Sequence, residues 1–525
     1  MVYLGASVLR DLDIDGLVDS LPTFTKVGAD ALRERLSHPI ADEIELTKRQ
    51  AVLRSIKANT AAATSEIKAL RTQLRNQEDS VRSVAEAAAD TRHAEYYTQI
   101  LWGADSRFAW LNKLGWLNEL IVGFRTLFLP ALSILLPLLV LLAPLLFFTV
   151  IAKEPLTVEG YFGLLQKSLK TAMPSILGKP RFAGTGGMAE LGEQFVHIGA
   201  AIAMFVASIW NQISAAISMR AVVADMRVRA NAVATFTEAT RSLATRMGVP
   251  LCPALQEPWS DGELGVFGHA WNAPDRVREI LAFAGHLDML ACLATAKRTC
   301  FVKESDSLSL TDLYHPGVPR KERVYNSVTM AADISGSLHQ NVLLTGPNRG
   351  GKSTLLKAIG VAVLMSHTVG IVFAREARIP RFANIITALA PADVVGKLSL
   401  FEAEIEFAKD VKERLGPLTF LMMDEIFHGT NAHDGVEASQ VFLDQLYDPK
   451  VRGLFSIVST HYMNLPERYK EVQHLCMDAA VNPNDPDRLV YTYKVREGVN
   501  RFSSVREILR ERGLLCDSRL CGSAD

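Results

Sequence analysis

The N-terminal part of the chain carries a helical pattern. From Gly28 to Ala89 it is rich in Ala, Leu, Arg, Glu and Gln, and Leu32, Leu36, Ile40 and Ile44 recur at helical intervals. Pro39 interrupts that run, because proline offers no N–H to the helix ladder and clashes with the preceding turn. Asp42, followed three residues later by Glu45, marks a fresh helix start. Residues 1–120 therefore read as a helical region without a repeat of fixed period.

The pattern then changes. No charge occurs between Arg125 and Lys153, and the stretch reads LFLPALSILLPLLVLLAPLLFFTVI. About 20 apolar residues cross a bilayer, so a span is predicted over 127–151. Pro130, Pro137 and Pro144 recur every seven residues. Membrane helices accept such prolines where neighbouring groups satisfy the freed carbonyls. A second uncharged run lies between Glu193 and Arg220. It contains His197, Asn211 and Gln212, and its Gly, Ala and Ser suit close helix packing in lipid; it predicts a span over 195–218. An Ala-rich soluble helix is the competing reading of this run, and a buried core helix that of the first.

Residues 121–220 are thus expected to form a transmembrane hairpin with a loop at 153–193. Trp102, Trp110 and Trp116 precede the first span, where either an interfacial position or core packing would explain them. Five basic residues, Lys153, Lys167, Lys170, Lys179 and Arg181, lie between the runs, while Arg125, Arg220, Arg227 and Arg229 flank them. The expected topology puts the flanks on the cytoplasmic side. Residues 221–300 return to a helical pattern, with a turn-rich break from Pro250 to Gly268. From about 301 to 525 strand and helix patterns alternate, as in an α/β domain.

Composition narrows the class. With 525 residues, 49% of them apolar and 22% charged, the chain is neither disordered nor fibrous. A net charge of −1 excludes a polyelectrolyte binder but leaves a local basic face open. The mean hydropathy of +0.13 fits the apolar runs. The six cysteines, at 252, 292, 300, 476, 516 and 521, form no C-x-x-C and read as free thiols. The opening residues lack the basic and apolar regions of a secretory signal.

The candidate chemistry sits in the α/β part. Asn341 to Thr345 reads as a buried strand, and Gly346-Pro347-Asn348-Arg349-Gly350-Gly351-Lys352-Ser353-Thr354 follows before a helix pattern. This fits G-x-x-x-x-G-K-[ST]: backbone N–H groups and the helix N-terminus would face the phosphates of a nucleotide, Lys352 would reach the β and γ phosphates, and Ser353 would ligate Mg²⁺. A second apolar strand, 418–423, ends in Asp424-Glu425. Asp424 would hold Mg²⁺, and Glu425 would position or activate the attacking water. A third strand, 454–459, ends in Thr460-His461, where His461 can sense the γ-phosphate or serve structure alone. Ser399 opens a capping box with Glu402, so it starts a helix whose N-terminus could face an anion.

In order and spacing, GPNRGGKST, LSLFEAEI, DEIFHGTNAHDG and STHY resemble the ATPase domain of the MutS family of mismatch-repair proteins, over about 310–510. That resemblance implies a dimer in which Ser399 of each subunit reaches the other's γ-phosphate. It also implies an interface loop at Gly429, Thr430 and Asn431, a switch role for His461, and adenine reading by Asn326. Arg323 stands where the family has the stacking aromatic, with Arg323 itself or Tyr325 as substitutes; Arg349 replaces a Met, and Phe427-His428 a Gly-Arg pair. The segment LPTFTKVGADALRERLSHPIADEIELTKRQAVL resembles the start of the family's lever domain, with 221–300 as its return. The apolar runs occupy the place of its DNA clamp. No mismatch-reading module is expected before the lever, and little room remains for a C-terminal helix-turn-helix.

The resulting expectation is a membrane-anchored, homodimeric, Mg²⁺-dependent ATPase whose lever helices pass nucleotide-driven motion to a hairpin or an unknown protein partner. The alternative is a DNA-binding repair or recombination factor with its apolar runs buried. A transporter-type ABC ATPase fits less well, since LSLFE stands where LSGGQ would be.

Overall fold

A computed structural model describes residues 2–87, 96–103, 106–146, 157, 160–161, 163, 187–331, 338–389, 400–416, 418–483 and 485–514. The chain divides into two units. One comprises Met1–Arg75, Thr240–Leu251 and Ala282–Asp525, and the other Asn76–Ala239 and Cys252–Leu281.

The first unit is built on a seven-stranded sheet. Across it the strands run Tyr3–Leu4, Asn384–Ala388, Thr419–Met423, Leu454–Ser459, Leu338–Thr345, Val472–Asn482 and Asp485–Glu497. All neighbours are parallel except the last pair, which forms an antiparallel edge. Central strands of a parallel sheet are covered on both faces, so they read as unbroken apolar runs. Thr419–Met423 and Leu454–Ser459 are buried at every position. One face packs Leu343, Leu421, Met423 and Val458 against Phe442, Leu443 and Leu446 of the helix Ala432–Leu446. The helix Lys352–Thr368 is buried over nearly its whole length. A smaller four-stranded sheet, in the order Lys303–Glu304, Glu376–Ile379, Leu308–Leu313 and Asn326–Met330, lies beside the P-loop region.

The chain start differs from the helical reading. Tyr3–Leu4 is a strand, paired in parallel with Asn384 and Ile385 at the sheet edge. Buried Asp11 then accepts hydrogen bonds from Thr387 Oγ1 at 2.9 Å and Leu389 N at 3.0 Å. A two-residue strand carries too short a pattern to be read, and only the pairing partner 381 residues away reveals it.

Pro39 does separate two helices, Lys26–Ser37 and Glu43–Ala62, and the Asp42 side chain caps the second by accepting from Ile44 N and Glu45 N. The first packs closely on the helix Pro274–Thr295. A Cβ on Gly285 would lie 2.5 Å from Val27 O, and one on Gly28 2.2 Å from a carboxylate oxygen of Asp288. That buried carboxylate accepts from Phe24 N, Thr25 N and Thr25 Oγ1, each at 2.9 Å, and pairs with Arg71 Nε at 2.5 Å.

The second unit holds a core around Tyr97, whose ring meets Phe267 at 5.0 Å and Trp271 at 5.2 Å. Its hydroxyl donates to Asp225 at 2.5 Å. Arg227 makes two 3.0 Å hydrogen bonds to Glu119. The helices Thr64–Ala87, Gly187–Met247 and Pro274–Thr295 each contribute residues to both units.

The apolar runs are only partly as expected. Helix covers Gly115–Gly123 and Leu129–Leu146, joined by a π-helical turn at Phe124–Phe128 just before Pro130. Such a turn accommodates a helix position that cannot donate its N–H. Among the described residues one segment, Gly115–Leu136, is long and apolar enough to cross a membrane, and 6% of it is buried. It begins earlier than the expected span at 127, because a search for uncharged runs stops at Arg125 while the apolar face continues past it. Trp116, Leu120, Phe124, Phe128, Leu132, Leu135 and Leu139 are exposed at intervals of three or four residues. The second run lies inside the helix Gly187–Met247, so the expected loop ends before 187, and residues 153–186 are largely outside the described part. Phe205, Val206, Trp210, Ile213 and Ile217 are exposed there, yet this run is not a second qualifying segment, and a transmembrane hairpin is not supported. After Met247 two helices, Pro253–Gln256 and Glu263–Asn272, begin inside the predicted turn-rich stretch.

Candidate nucleotide site

Three parallel strands deliver the candidate residues to one edge of the sheet. Leu338–Thr345 leads into the P-loop, Thr419–Met423 into Asp424-Glu425, and Leu454–Ser459 into Thr460-His461. In open α/β sheets, ligands bind at the carboxyl ends of the strands. The register explains the convergence: Met423 pairs with Val458, and Val458 with Leu343, so the three strand ends are level.

The P-loop turns tightly. Gly350 N donates to Pro347 O at 3.1 Å, and Gly351, at φ +94°, caps the helix Lys352–Thr368. A side chain at Gly351 would meet a left-handed backbone and the Tyr493 ring 3.2 Å away. Arg349 is also left-handed, at φ +67°, and its guanidinium pairs with Glu511.

Lys352 is buried and folds back over the loop. Its Nζ donates to Gly346 O at 3.0 Å and lies 3.2 Å from His461 Nε2. Burial holds its pKa below the usual lysine value. His461 Nε2 also lies 2.6 Å from Glu425 Oε1. The hydrogen bond from His461 keeps the Glu425 carboxyl below its usual range, so Glu425 is a carboxylate. Ser353 Oγ donates to Asp424 Oδ2 at 2.7 Å, and Ser459 Oγ donates to the other Asp424 oxygen and accepts from Glu425 N at 3.1 Å.

Ser353 and Asp424 supply a hydroxyl and a carboxylate oxygen within 2.7 Å of each other. Hard oxygen donors of this kind suit Mg²⁺, which keeps waters and phosphate oxygens as its remaining ligands. Among the described residues no group of three or more His, Cys, Asp or Glu could hold a metal without such help. The residues therefore fit an ion shared with a nucleotide.

A cavity of about 830 Å³ opens beside this cluster. Pro347, Asn348, Arg349, Gly351, Lys352, Ser353, Thr354 and Glu425 form one side of it; Tyr314, Pro319, Arg323 and Asn326 form the other. Tyr493 also lines it, a residue whose strand position gave no sign of a site role. Asn326 does not have a free side chain there. Its Nδ2 donates to Tyr493 O at 3.0 Å and its Oδ1 accepts from Val495 N at 2.9 Å, so it ties two strands together. Tyr325, just before that strand, does not line the cavity and packs under Arg298 instead. Arg323 does line it, held by Val318 O and Pro316 O at 2.7 Å each. Asn431 caps the helix Ala432–Leu446, and Gly429 N donates to Glu404 at 3.2 Å. Thr430 lies between them, and Ser399 falls outside the described residues, one position before the helix Leu400–Glu413.

The fold and this cluster define an α/β P-loop nucleotide-binding domain. Residues 342–509 match the family model described as MutS domain V, which is an α/β P-loop ATPase domain. The chain is 28% identical over 229 residues to the DNA mismatch repair protein MutS of Shouchella clausii, covering 42% of this chain and 26% of that protein. It is 30% identical over 201 residues to MutS of Syntrophobacter fumaroxidans, covering 38% and 22%. To MutS of Thermus aquaticus it is 32% identical over 207 residues, covering 38% and 24%. The matched part spans about a quarter of the length of these relatives. The family-model match, residues 342–509, includes the P-loop, Asp424-Glu425 and His461.

Proposed function

We propose that this chain is a membrane-anchored ATPase that couples Mg²⁺-dependent ATP hydrolysis, in a homodimer, to movement of its helical unit. The observation that carries the reading is the meeting of Lys352, Ser353, Asp424, Glu425 and His461 at three level strand ends. The P-loop N–H groups and Lys352 would bind the phosphates. Ser353 and Asp424 would hold Mg²⁺, which neutralises phosphate charge when bound. Glu425 would orient the attacking water, and His461 would leave Lys352 and face the γ-phosphate once the nucleotide is seated. Ser399 of the partner subunit would close the site, with Gly429, Thr430 and Asn431 at the interface. Arg323 and Pro319 would flank the base in place of an aromatic ring.

Membrane anchoring is supported by the exposed apolar stripe from Trp116 to Leu139. Contiguous exposed apolar surface of this kind marks an interaction site, and its length matches a bilayer. The ATPase unit would then face the cytoplasm. The six tryptophans, 102, 110, 116, 210, 259 and 271, all lie in the second unit. Lipids carrying bromine on their acyl chains should therefore quench the exposed Trp110, Trp116 and Trp210 in reconstituted vesicles. Unquenched fluorescence, with release of the chain by carbonate alone, would remove the membrane from the reading.

The second reading, a DNA-binding factor, rests on the names of the relatives. It predicts duplex binding that weakens steeply with salt, and the absence of such binding would leave the membrane reading alone.

A further inference from the structure

The turn that carries Glu425 holds a conformation its own sequence disfavours. Glu425 and Phe427 have φ of +54° and +51°, in the left-handed region that non-glycine residues avoid. Such backbone persists only where its surroundings over-determine it. Phe427 is buried between Phe401 and Phe442, with ring centroids 6.2 and 5.9 Å away, and its carbonyl accepts from Tyr462 Oη at 3.1 Å.

Beside the hydrogen bond from Glu425 N to Ser459 Oγ, a further restraint comes from one carboxylate on the helix Leu400–Glu413. Glu404 Oε2 accepts from Gly429 N at 3.2 Å, and Oε1 accepts from His428 N at 3.4 Å. The same Oε1 lies 2.9 Å from His428 Nδ1, which is also 2.8 Å from Glu425 O. Both neighbours of Nδ1 are acceptors, so Nδ1 carries the proton and ties Glu404 to the Glu425 carbonyl. The close approach needs Gly429, where a Cβ would lie 2.9 Å from Phe401 N. Glu404 does not line the nucleotide cavity; it lines a small pocket on the other side of Glu425.

We propose that Glu404 is a positioning residue for hydrolysis. Through Gly429, His428 and the Glu425 carbonyl it fixes the turn, and so aims the Glu425 carboxylate, without touching nucleotide. The inference rests on the ATPase reading and adds a residue to it. It separates binding from turnover, because the P-loop stays intact when the turn relaxes.

The test uses the full chain and three readouts: affinity for a fluorescent ATP analogue, steady-state turnover, and amide exchange over residues 425–431. In Glu404→Ala, affinity should stay within about threefold while kcat falls about 10- to 100-fold, as a misplaced reacting group does. Exchange at His428 and Gly429 should rise while the helix Lys352–Thr368 stays protected. Glu404→Gln keeps an acceptor oxygen and should recover part of kcat, and it serves as the folded variant if the alanine form is unstable. Unchanged kcat with unchanged exchange in the turn would overturn the proposal. So would a loss of affinity parallel to the loss of kcat. If the wild-type chain turns over no faster than Lys352→Ala, the ATPase reading fails instead, and the exchange of residues 425–431 still decides whether Glu404 holds the turn.

Discussion

His461 Nε2 lies 2.6 Å from the Glu425 carboxylate, while the same nitrogen is 3.2 Å from Lys352 Nζ. The proposed water-positioning residue and the proposed phosphate-binding residue are thus bridged by a single imidazole. A nucleotide phosphate entering the P-loop would compete for Lys352 and break the bridge. Replacing His461 with Ala should leave ATP binding in place and lower turnover by about 10²- to 10³-fold, the cost of losing one charge-stabilising donor. Turnover equal to wild type would assign His461 to structure alone.

Glu425→Ala separates chemistry from binding. Its carboxylate is the candidate group for orienting water, a role worth about 10²- to 10⁴-fold. The variant should bind ATP and accumulate the closed dimer, seen as an ATP-dependent rise in mass by light scattering. Rapid turnover in this variant would contradict the assignment.

Ser353→Ala and Asp424→Ala test the ion. Both remove a hard oxygen donor from a pair 2.7 Å apart. Turnover should require higher Mg²⁺ in either variant, and chelation should stop turnover in the wild type. Activity indifferent to chelator would dismiss the proposed ion.

His367 sets a pH limit on the P-loop unit. Its Nε2 accepts from Phe382 N at 2.9 Å and its Nδ1 faces Val363 O at 2.9 Å, so the buried ring is neutral. Burial pushes its pKa down to about 4 from the usual 6.5. The unfolded chain takes up a proton first as pH falls, so stability is lost from about pH 6.5 downward until the folded form also titrates. The slope is at most about 1.4 kcal/mol per pH unit for one such group. Hydrogen exchange of the helix Lys352–Thr368 at pH 7 and 5 measures it, and His367→Gln should flatten the difference. An unchanged slope in that variant would place the acid sensitivity elsewhere.

Asp288 anchors the N-terminal helices by accepting four hydrogen bonds in the buried interior. Asp288→Ala leaves Arg71 without its partner carboxylate. Breaking a buried pair in this way costs about 3–5 kcal/mol. Equal melting temperatures for the variant and wild type would show that the clamp is dispensable.

How much of this was legible depended on whether the signal was local. The P-loop, the Asp424-Glu425 strand end and the His461 strand end each carry a strand-turn pattern within a few residues, and the structure brings them together. Asp42 announced its cap for the same reason. Tyr3–Leu4, Asp11, Ser459, Tyr493 and Glu404 could not be read, since each acts through a partner distant in sequence. The family resemblance assigned Asn326 to reading adenine, but cross-strand pairing consumes both ends of its amide. The apolar helix was placed too late because absence of charge is a poorer guide than the exposed face itself. Charged residues with partners, such as Glu119 paired with Arg227 and Arg125 hydrogen-bonded to Gln99 O, sit within or beside such a face.

The most direct test of the central claim is steady-state ATP turnover by the full-length chain with Mg²⁺, compared with Lys352→Ala. The account predicts hydrolysis in the wild type and a loss of about 100-fold or more in the variant, with nucleotide binding lost alongside. Equal rates in the two proteins, or no binding of ATP by the wild type, would contradict it.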